Sequence, residues 1–331
     1  MTIRESEIRR RLKGDDDDDV AATLHRFFRP TPRFTAPLLY EWLPLPDLDV
    51  VLGDGEGGGA YERAARGIID LANATDKALR GRRFDRRRRR APQWPLVLCE
   101  GDSWLSHPFI HELGDFLAND PRNAFHLLNR AAAGDRLVKV AAEREHEAEL
   151  AKSTFDLFVL SGGGNDLLLD FGDFLRPGPH PADAAPATLI REAMHEHMTG
   201  LMDVMRGLLL GVRRLDATMP ILVHGYDYLR VAAPGRGPFL GPHFDQAGIE
   251  DPQQRQATLD HIIDRYNEYV RGAAAAVPDV EVVELRGIVS EDQWYDEIHP
   301  NREGFRGLAE AMGTAIRRRL AQPAASEADR V

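Results

Sequence analysis

From about residue 94 onward, short, mostly apolar stretches alternate with longer ones in which apolar residues recur every three or four positions. The runs 96–99, 124–128, 156–160, 221–224 and 280–285 have strand length. Unbroken apolar runs suit strands buried on both faces. Between them, helical periodicity covers 108–117, 136–151, 187–215 and 253–276, and a last helix is predicted over 302–320. Such alternation implies a parallel sheet with helices on both faces. Residues 322–331 read as a frayed tail, and there is no internal repeat.

The first 93 residues follow a different pattern and read as an accessory segment ahead of a main domain over 94–321. A short charged helix is predicted over 3–13, followed by the carboxylate run Asp15–Asp19 and a second helix over 20–28 that Asp19 is placed to cap. Prolines at 30, 32, 37, 44 and 46 predict an extended chain over 29–47. A strand is predicted over 48–52, then the glycine-rich stretch 53–59 and a helix over 61–79. Gly53, Gly55 and Gly58 fit the spacing of a dinucleotide-binding turn. That site needs a second parallel strand after the helix, and here an arginine run follows. Asp54 and Glu56 would also meet a pyrophosphate with like charge, so the stretch reads as a Gly turn and no cofactor is implied.

Charge sharpens the division. The net charge is −11, yet residues 1–90 carry 19 basic and 16 acidic side chains. The excess of acid therefore lies in the main domain, which repels nucleic acid and anionic surfaces at long range. The segment Arg80–Arg90 holds eight arginines in eleven positions. It reads as a solvated linker rather than a nucleic-acid contact, because Phe84 is its one aromatic ring and nothing suggests base stacking. No apolar run approaches the ~20 residues of a membrane helix, and residues 1–11 lack the apolar stretch of a secretory signal. These features predict a cytoplasmic protein. The one cysteine, Cys99, lies inside an apolar strand, which excludes disulfides within the chain and Cys-based zinc sites and suits core packing.

Three stretches capable of chemistry fall at predicted strand ends. Gly101-Asp102-Ser103 follows the first strand, Ser161-Gly-Gly-Gly-Asn165-Asp166 the third, and Asp296-Glu-Ile-His299-Pro300 the fifth. Open α/β sheets place ligands beyond the carboxyl ends of their strands. Acyl transfer requires a hydroxyl, a base, a carboxylate to orient the base, and donors for the developing oxyanion. Asp296 and His299 are three residues apart, close enough to share a side of one turn. Gly162–Gly164 allow close backbone approach, Asn165 offers an amide donor, and the backbone N–H of Gly134 is a further donor if the first two strands are neighbours. Each stretch alone has a plain structural explanation: a capping His, an Asn N-cap, a Gly-rich turn.

Together and in this order, they resemble the SGNH hydrolase superfamily, also called GDSL esterases and lipases, over roughly residues 94–320. The resemblance implies a three-layer α/β/α sandwich with a five-stranded parallel sheet. It implies Ser103 as nucleophile, Asp296 and His299 as the rest of a triad, and Ser103 N–H, Gly134 and Asn165 as oxyanion donors. Trp104 departs from the leucine common at its position and is expected to shape the pocket, as is Gly164. The implied activity is cleavage of a small-molecule or lipid acyl ester, with acyl transfer to another acceptor or a non-catalytic binding module as alternatives.

Two further stretches invite a functional reading. The long loops 170–186 and 231–252 are rich in Pro and Gly, and both, with Phe239 and Phe244 in the second, are expected to shape the acyl or leaving-group pocket. His195 and His197 lie two apart in a helical pattern, face different sides and cannot share a metal. No metal site is expected.

Overall fold

The computed structural model describes residues 2–4, 28–32, 40–44, 49–51, 73, 76–107, 110–231 and 239–322. Near the N-terminus, β1 (Thr2–Arg4) pairs in parallel with β4 (Asp49–Val51), and β2 (Phe28–Pro32) pairs antiparallel with β3 (Tyr40–Pro44). A strand thus begins where the charge pattern predicts the helix over 3–13, and the proline-rich stretch contains a paired ladder. The predicted helix over 20–28 and the glycine-rich stretch 53–59 lie outside the described residues, apart from Phe28, which belongs to β2.

The main sheet has five parallel strands: β5 (Leu96–Glu100), β6 (His126–Asn129), β7 (Leu157–Leu160), β8 (Ile221–His224) and β9 (Val280–Val283). Their spatial order is β6-β5-β7-β8-β9. Every residue of β5 to β8 is buried, as strands covered on both faces require. The fold is the predicted α/β arrangement, at the predicted strand positions to within a few residues. Chain order reverses at β5: the chain first steps outward to β6, then returns across β5 to β7. The carboxyl ends of β5 and β7 therefore border the crevice where doubly wound sheets bind ligands.

Helices cover both faces. On one, α2 (Leu113–Asn119) packs against α10 (Arg302–Ala321). On the other, α7 (Glu192–Leu215) packs against α3 (Leu137–Glu143) and α9 (Pro252–Ala275). The single helix predicted over 136–151 is two, α3 and α4 (Glu145–Leu150), separated by Arg144 at φ 54°. Two short helices, α5 (Gly164–Leu169) and α6 (Phe171–Phe174), follow β7, and α8 (Gly241–Ala247) precedes α9.

The arginine run corrects the expectation of a solvated linker. Residues 76–90 form helix α1, whose inner side buries Leu79 and Phe84. Phe84 stacks on Phe155 with ring centroids 6.4 Å apart and meets the edge of His126. Arg87 donates to the Ala118 carbonyl and, at 2.6 Å, to Asn119 Oδ1. Arginine is a good helix former, and its long stem covers apolar surface while its head bonds at the edge. Arg82, Arg86, Arg88, Arg89 and Arg90 are exposed on the outer side. Cys99 is buried in β5, and burial pushes its thiol up well beyond the ordinary range. Among the described residues, no helix is long and apolar enough to cross a membrane.

Candidate active site

Ser103 sits in a tight turn just past β5. Gly101 adopts φ 147°, and a Cβ there would lie 2.4 Å from the Ser161 carbonyl oxygen, so glycine is what lets the ends of β5 and β7 touch. Asp102 organises the turn. Its Oδ1 accepts from the Trp104 N–H at 3.1 Å and the Ser161 hydroxyl at 2.9 Å, and its Oδ2 accepts from the Tyr226 hydroxyl. Tyr226 Oη in turn accepts from the Gly164 N–H at 2.9 Å. The turn after β5, the turn after β7 and the chain after β8 are thereby tied into one buried network. Burial, reinforced by the Asp102 carboxylate, pushes the Tyr226 phenol well up, so it stays a donor.

The loop between β9 and α10 brings His299 across the sheet rim. Its Nε2 lies 3.0 Å from Ser103 Oγ, and its Nδ1 lies 3.0 Å from Asp296 Oδ2 and 3.2 Å from Oδ1. Asp296 Oδ1 also accepts from the backbone N–H groups of Ile298 (2.9 Å) and His299 (2.7 Å). The three-residue spacing therefore closes a compact bend, not the helical turn that spacing suggested. Trp104 Nε1 donates to the Ile298 carbonyl at 3.1 Å, clamping this bend to the serine turn. An imidazole that donates from Nδ1 to a carboxylate presents an acceptor Nε2 to the hydroxyl, which is the arrangement for deprotonating it. His107 packs beside His299 at 5.2 Å between ring centroids, and burial, with His299 second, pulls its pKa well down.

Of the two residues besides Ser103 expected to donate to an oxyanion, Asn165 lines the same pocket as Ser103 and His299, and Gly134 does not. Asn165, at the start of α5, gives one Nδ2 hydrogen to the Asp135 carbonyl at 2.8 Å, which orients the amide and leaves its second N–H. Gly134 lies in the loop after β6 at φ 80°. Among the described residues, neither its backbone N–H nor that of Ser103 meets an acceptor. The β6–β5 adjacency on which the Gly134 reading depended is present.

Asp102, Ser103, Trp104, Gly164, Asn165 and His299 line one pocket. Its remaining wall is Leu167, Leu168, Tyr226, Leu229, Ile263 and Ile298. Its interior is narrow, with about 20 Å³ of room, enough for about one water molecule. Phe239 and Phe244 are not in this wall. Both are buried in the core, where Phe244 packs edge-on against Phe171 at 5.5 Å. Glu297 explains the placement: its carboxylate accepts from the N–H groups of Phe239 (2.7 Å), Leu240 (2.9 Å) and Gly241 (3.2 Å), pinning that loop inward. No described residue of either long loop lines the pocket. The apolar wall escaped sequence reasoning because Leu229 and Ile263 sit in ordinary apolar contexts. Asp102 and Tyr226 did carry a signal, since one adjoins Ser103 and the other follows a strand end.

His195 and His197 have separate partners, Tyr269 Oη at 3.3 Å and Asp170 Oδ2 at 3.4 Å. Among the described residues, no group of three or more His, Cys, Asp or Glu is placed to hold a metal ion.

Residues 98–306 match the GDSL-like lipase/acylhydrolase family. The chain belongs to that family. No curated protein matches the chain. Among solved structures, it is similar to phospholipase A1 from Streptomyces albidoflavus NA297 at 16% identity and a TM-score of 0.44, covering 67% of this chain and 99% of that one. It is also similar to LAE5, an alpha/beta hydrolase enzyme from the metagenome of Lake Arreo, Spain, at 18% identity and a TM-score of 0.41, covering 67% and 94%. A third is the Clostridium thermocellum family 3 carbohydrate esterase, at 16% identity and a TM-score of 0.41, covering 69% and 99%. The GDSL-like family places the chain among hydrolases of esters, and the clustered Ser103, His299 and Asp296 lie inside the matched region.

Proposed function

We propose that this protein is a serine esterase that cleaves a small acyl ester through a covalent acyl-enzyme on Ser103. The observation that carries the reading is the run of contacts Ser103 Oγ to His299 Nε2 at 3.0 Å and His299 Nδ1 to Asp296 at 3.0 Å, on the wall of an apolar pocket. In this reading Ser103 Oγ attacks the ester carbonyl as its proton passes to His299 Nε2. The carbonyl oxygen becomes an oxyanion, met by the N–H groups of Ser103 and Gly134 and the Asn165 amide. As the tetrahedral intermediate collapses, the bond to the alkoxy group breaks, and His299 gives its proton to the departing alcohol. Water then attacks the acylated Ser103 with His299 again as base, releasing the acid and restoring the hydroxyl. Asp296 holds the imidazole tautomer and offsets its positive charge.

The pocket wall favours an apolar acyl chain, and its narrow interior favours a short one. A chain-length series of chromogenic acyl esters tests both points, run on wild type and Ser103→Ala. The expected outcome is best turnover on short acyl chains and a fall of about 10⁴-fold or more in the variant. Labelling of Ser103→Ala by a fluorophosphonate at this site, or turnover equal to wild type, would overturn the reading.

A further inference from the structure

The family match begins at residue 98, yet side chains from 73–80 contact the turn after Ser103 and the loop after β6. Ser106, in the turn after Ser103, donates to Asp76 Oδ2 at 3.1 Å. Lys77 Nζ lies 3.0 Å from Glu145 and 4.0 Å from Asp135. Arg80 Nη2 donates to the Ala131 carbonyl at 2.9 Å, and Asn73 Nδ2 donates to the Ala133 carbonyl at 3.0 Å. Three of these four residues grip the loop 131–135, from which Gly134 offers its N–H.

The two carbonyl contacts act on defined peptide units. A peptide group is planar and trans, so fixing its C=O fixes the opposite direction of its N–H. In the Ala131–Ala132 unit, Arg80 holds the oxygen and the Ala132 N–H donates to the Gly101 carbonyl at 3.1 Å. In the Ala133–Gly134 unit, Asn73 holds the oxygen, and the Gly134 N–H on the other side has no acceptor among the described residues. A donor on the oxygen also polarises the group and strengthens its N–H as a donor. Ala133–Gly134 is the central peptide of a turn closed by the Asp135 N–H donating to the Ala132 carbonyl at 3.1 Å. Gly134 at φ 80° lacks the steric restraint that holds other residues in one well, so the Asn73 contact adds a hold on that peptide from outside the turn.

We propose that Asn73 is a positioning residue for the reaction above. It aims and polarises the Gly134 N–H through the Ala133–Gly134 peptide, so that the segment ahead of the family region completes the oxyanion side of the site. The proposal rests on the serine esterase reading. Its consequence is that the catalytic unit begins near residue 73 rather than at the first strand of the sheet.

The test uses the full chain with Asn73→Ala and Asn73→Asp, the second of which keeps the shape and loses the donor. A short-chain chromogenic ester gives kcat and KM, and an alkyl boronic acid, whose serine adduct carries a tetrahedral centre, gives an inhibition constant. A direct oxyanion donor is worth about 10²–10³ in kcat, and an indirect one less. Both variants are expected to lose about tenfold in kcat with KM within twofold, to bind the boronic acid about tenfold more weakly, and to melt where the wild type melts. A role confined to holding the helix in place would lower the melting temperature and leave boronic acid affinity of the folded fraction intact, and that result overturns the proposal. So does an undiminished kcat in Asn73→Ala when wild-type turnover depends on Ser103. If wild-type turnover does not depend on Ser103, the esterase reading fails first and this proposal falls with it.

Discussion

The two sides of Ser103 are built in contrasting ways. The imidazole side is local: Asp296, Ile298 and His299 close one bend within four residues, and the Asp296 carboxylate holds both the His299 ring and its backbone N–H. The proposed donor side is assembled from afar. Asn165 comes from α5, Gly134 from the loop after β6, and that loop is held by Gly101, by Asn165 and by Asn73 and Arg80. A local bend carries its own geometry wherever the sheet places it. A hole made of separate segments is correct only if each segment docks correctly. The first side should therefore be sensitive to the chemistry of single atoms, and the second to packing at a distance.

The largest separation between these behaviours is expected from Asp296→Asn. The amide oxygen can still accept from the Ile298 and His299 N–H groups, so the bend survives. Its NH₂ would face His299 Nδ1, forcing the proton onto Nε2 and removing the acceptor that Ser103 needs. A loss in kcat of about 10³–10⁴-fold is expected with little change in thermal unfolding. If kcat stays within tenfold of wild type, the assignment of Asp296 fails.

On the donor side, Asn165→Ala removes both the proposed oxyanion contact and the bond to the Asp135 carbonyl. Steady-state rates should fall about 10²–10³-fold, ~2.7–4 kcal/mol of barrier. Here the melting temperature should also drop, because Asn165 is buried and its partner carbonyl is left unsatisfied. A variant as active as wild type would remove Asn165 from the mechanism.

The smallest effect concerns the acids behind the donor side. Glu100, at the end of β5, is 2% exposed, and burial pushes its carboxyl up to about 7, offset in part by Lys77. A carboxyl whose folded value lies above its unfolded value near 4.5 holds its proton longer when folded. Below that value it costs nothing, it destabilises progressively as pH rises from about 4.5 to about 7, and the cost levels off above that. Glu100→Gln should therefore match wild type near pH 4.5 and become the more stable protein above pH 7, by up to about 3 kcal/mol. Thermal unfolding across that range measures it, and a gap that does not grow with pH would show that Glu100 is ionised without cost. Kinetics should change little.

The legible parts of the molecule were the local ones. The strands buried on both faces, such as β5 and β7, could be read because they have no polar face to interrupt them, whereas the half-buried edge strand β9 carries Glu281. Ser103, Asn165 and His299 could be read because each sits next to a strand end with a turn signal beside it. Charge alone makes the arginine run a linker, whereas Leu79 and Phe84, two apolar residues beside and within it, seat it as helix α1 on the sheet domain. Phe239 and Phe244 were misread because loop aromatics are equally suited to a pocket wall and to the core, and Glu297, from a segment more than fifty residues away, decides between them.

The sequence by itself determined the alternation that makes a parallel sheet and the order in which hydroxyl, amide and imidazole arrive at its rim. Hydrophobic period and turn residues act over a few positions, and such information survives without a fold. Tertiary structure alone decided that the chain reverses at β5, that Leu167, Leu168, Leu229 and Ile263 gather into one wall, and that Asn73 reaches the Ala133 carbonyl. Those facts depend on contacts between distant segments, whose energies exist only once the sheet has brought the segments together.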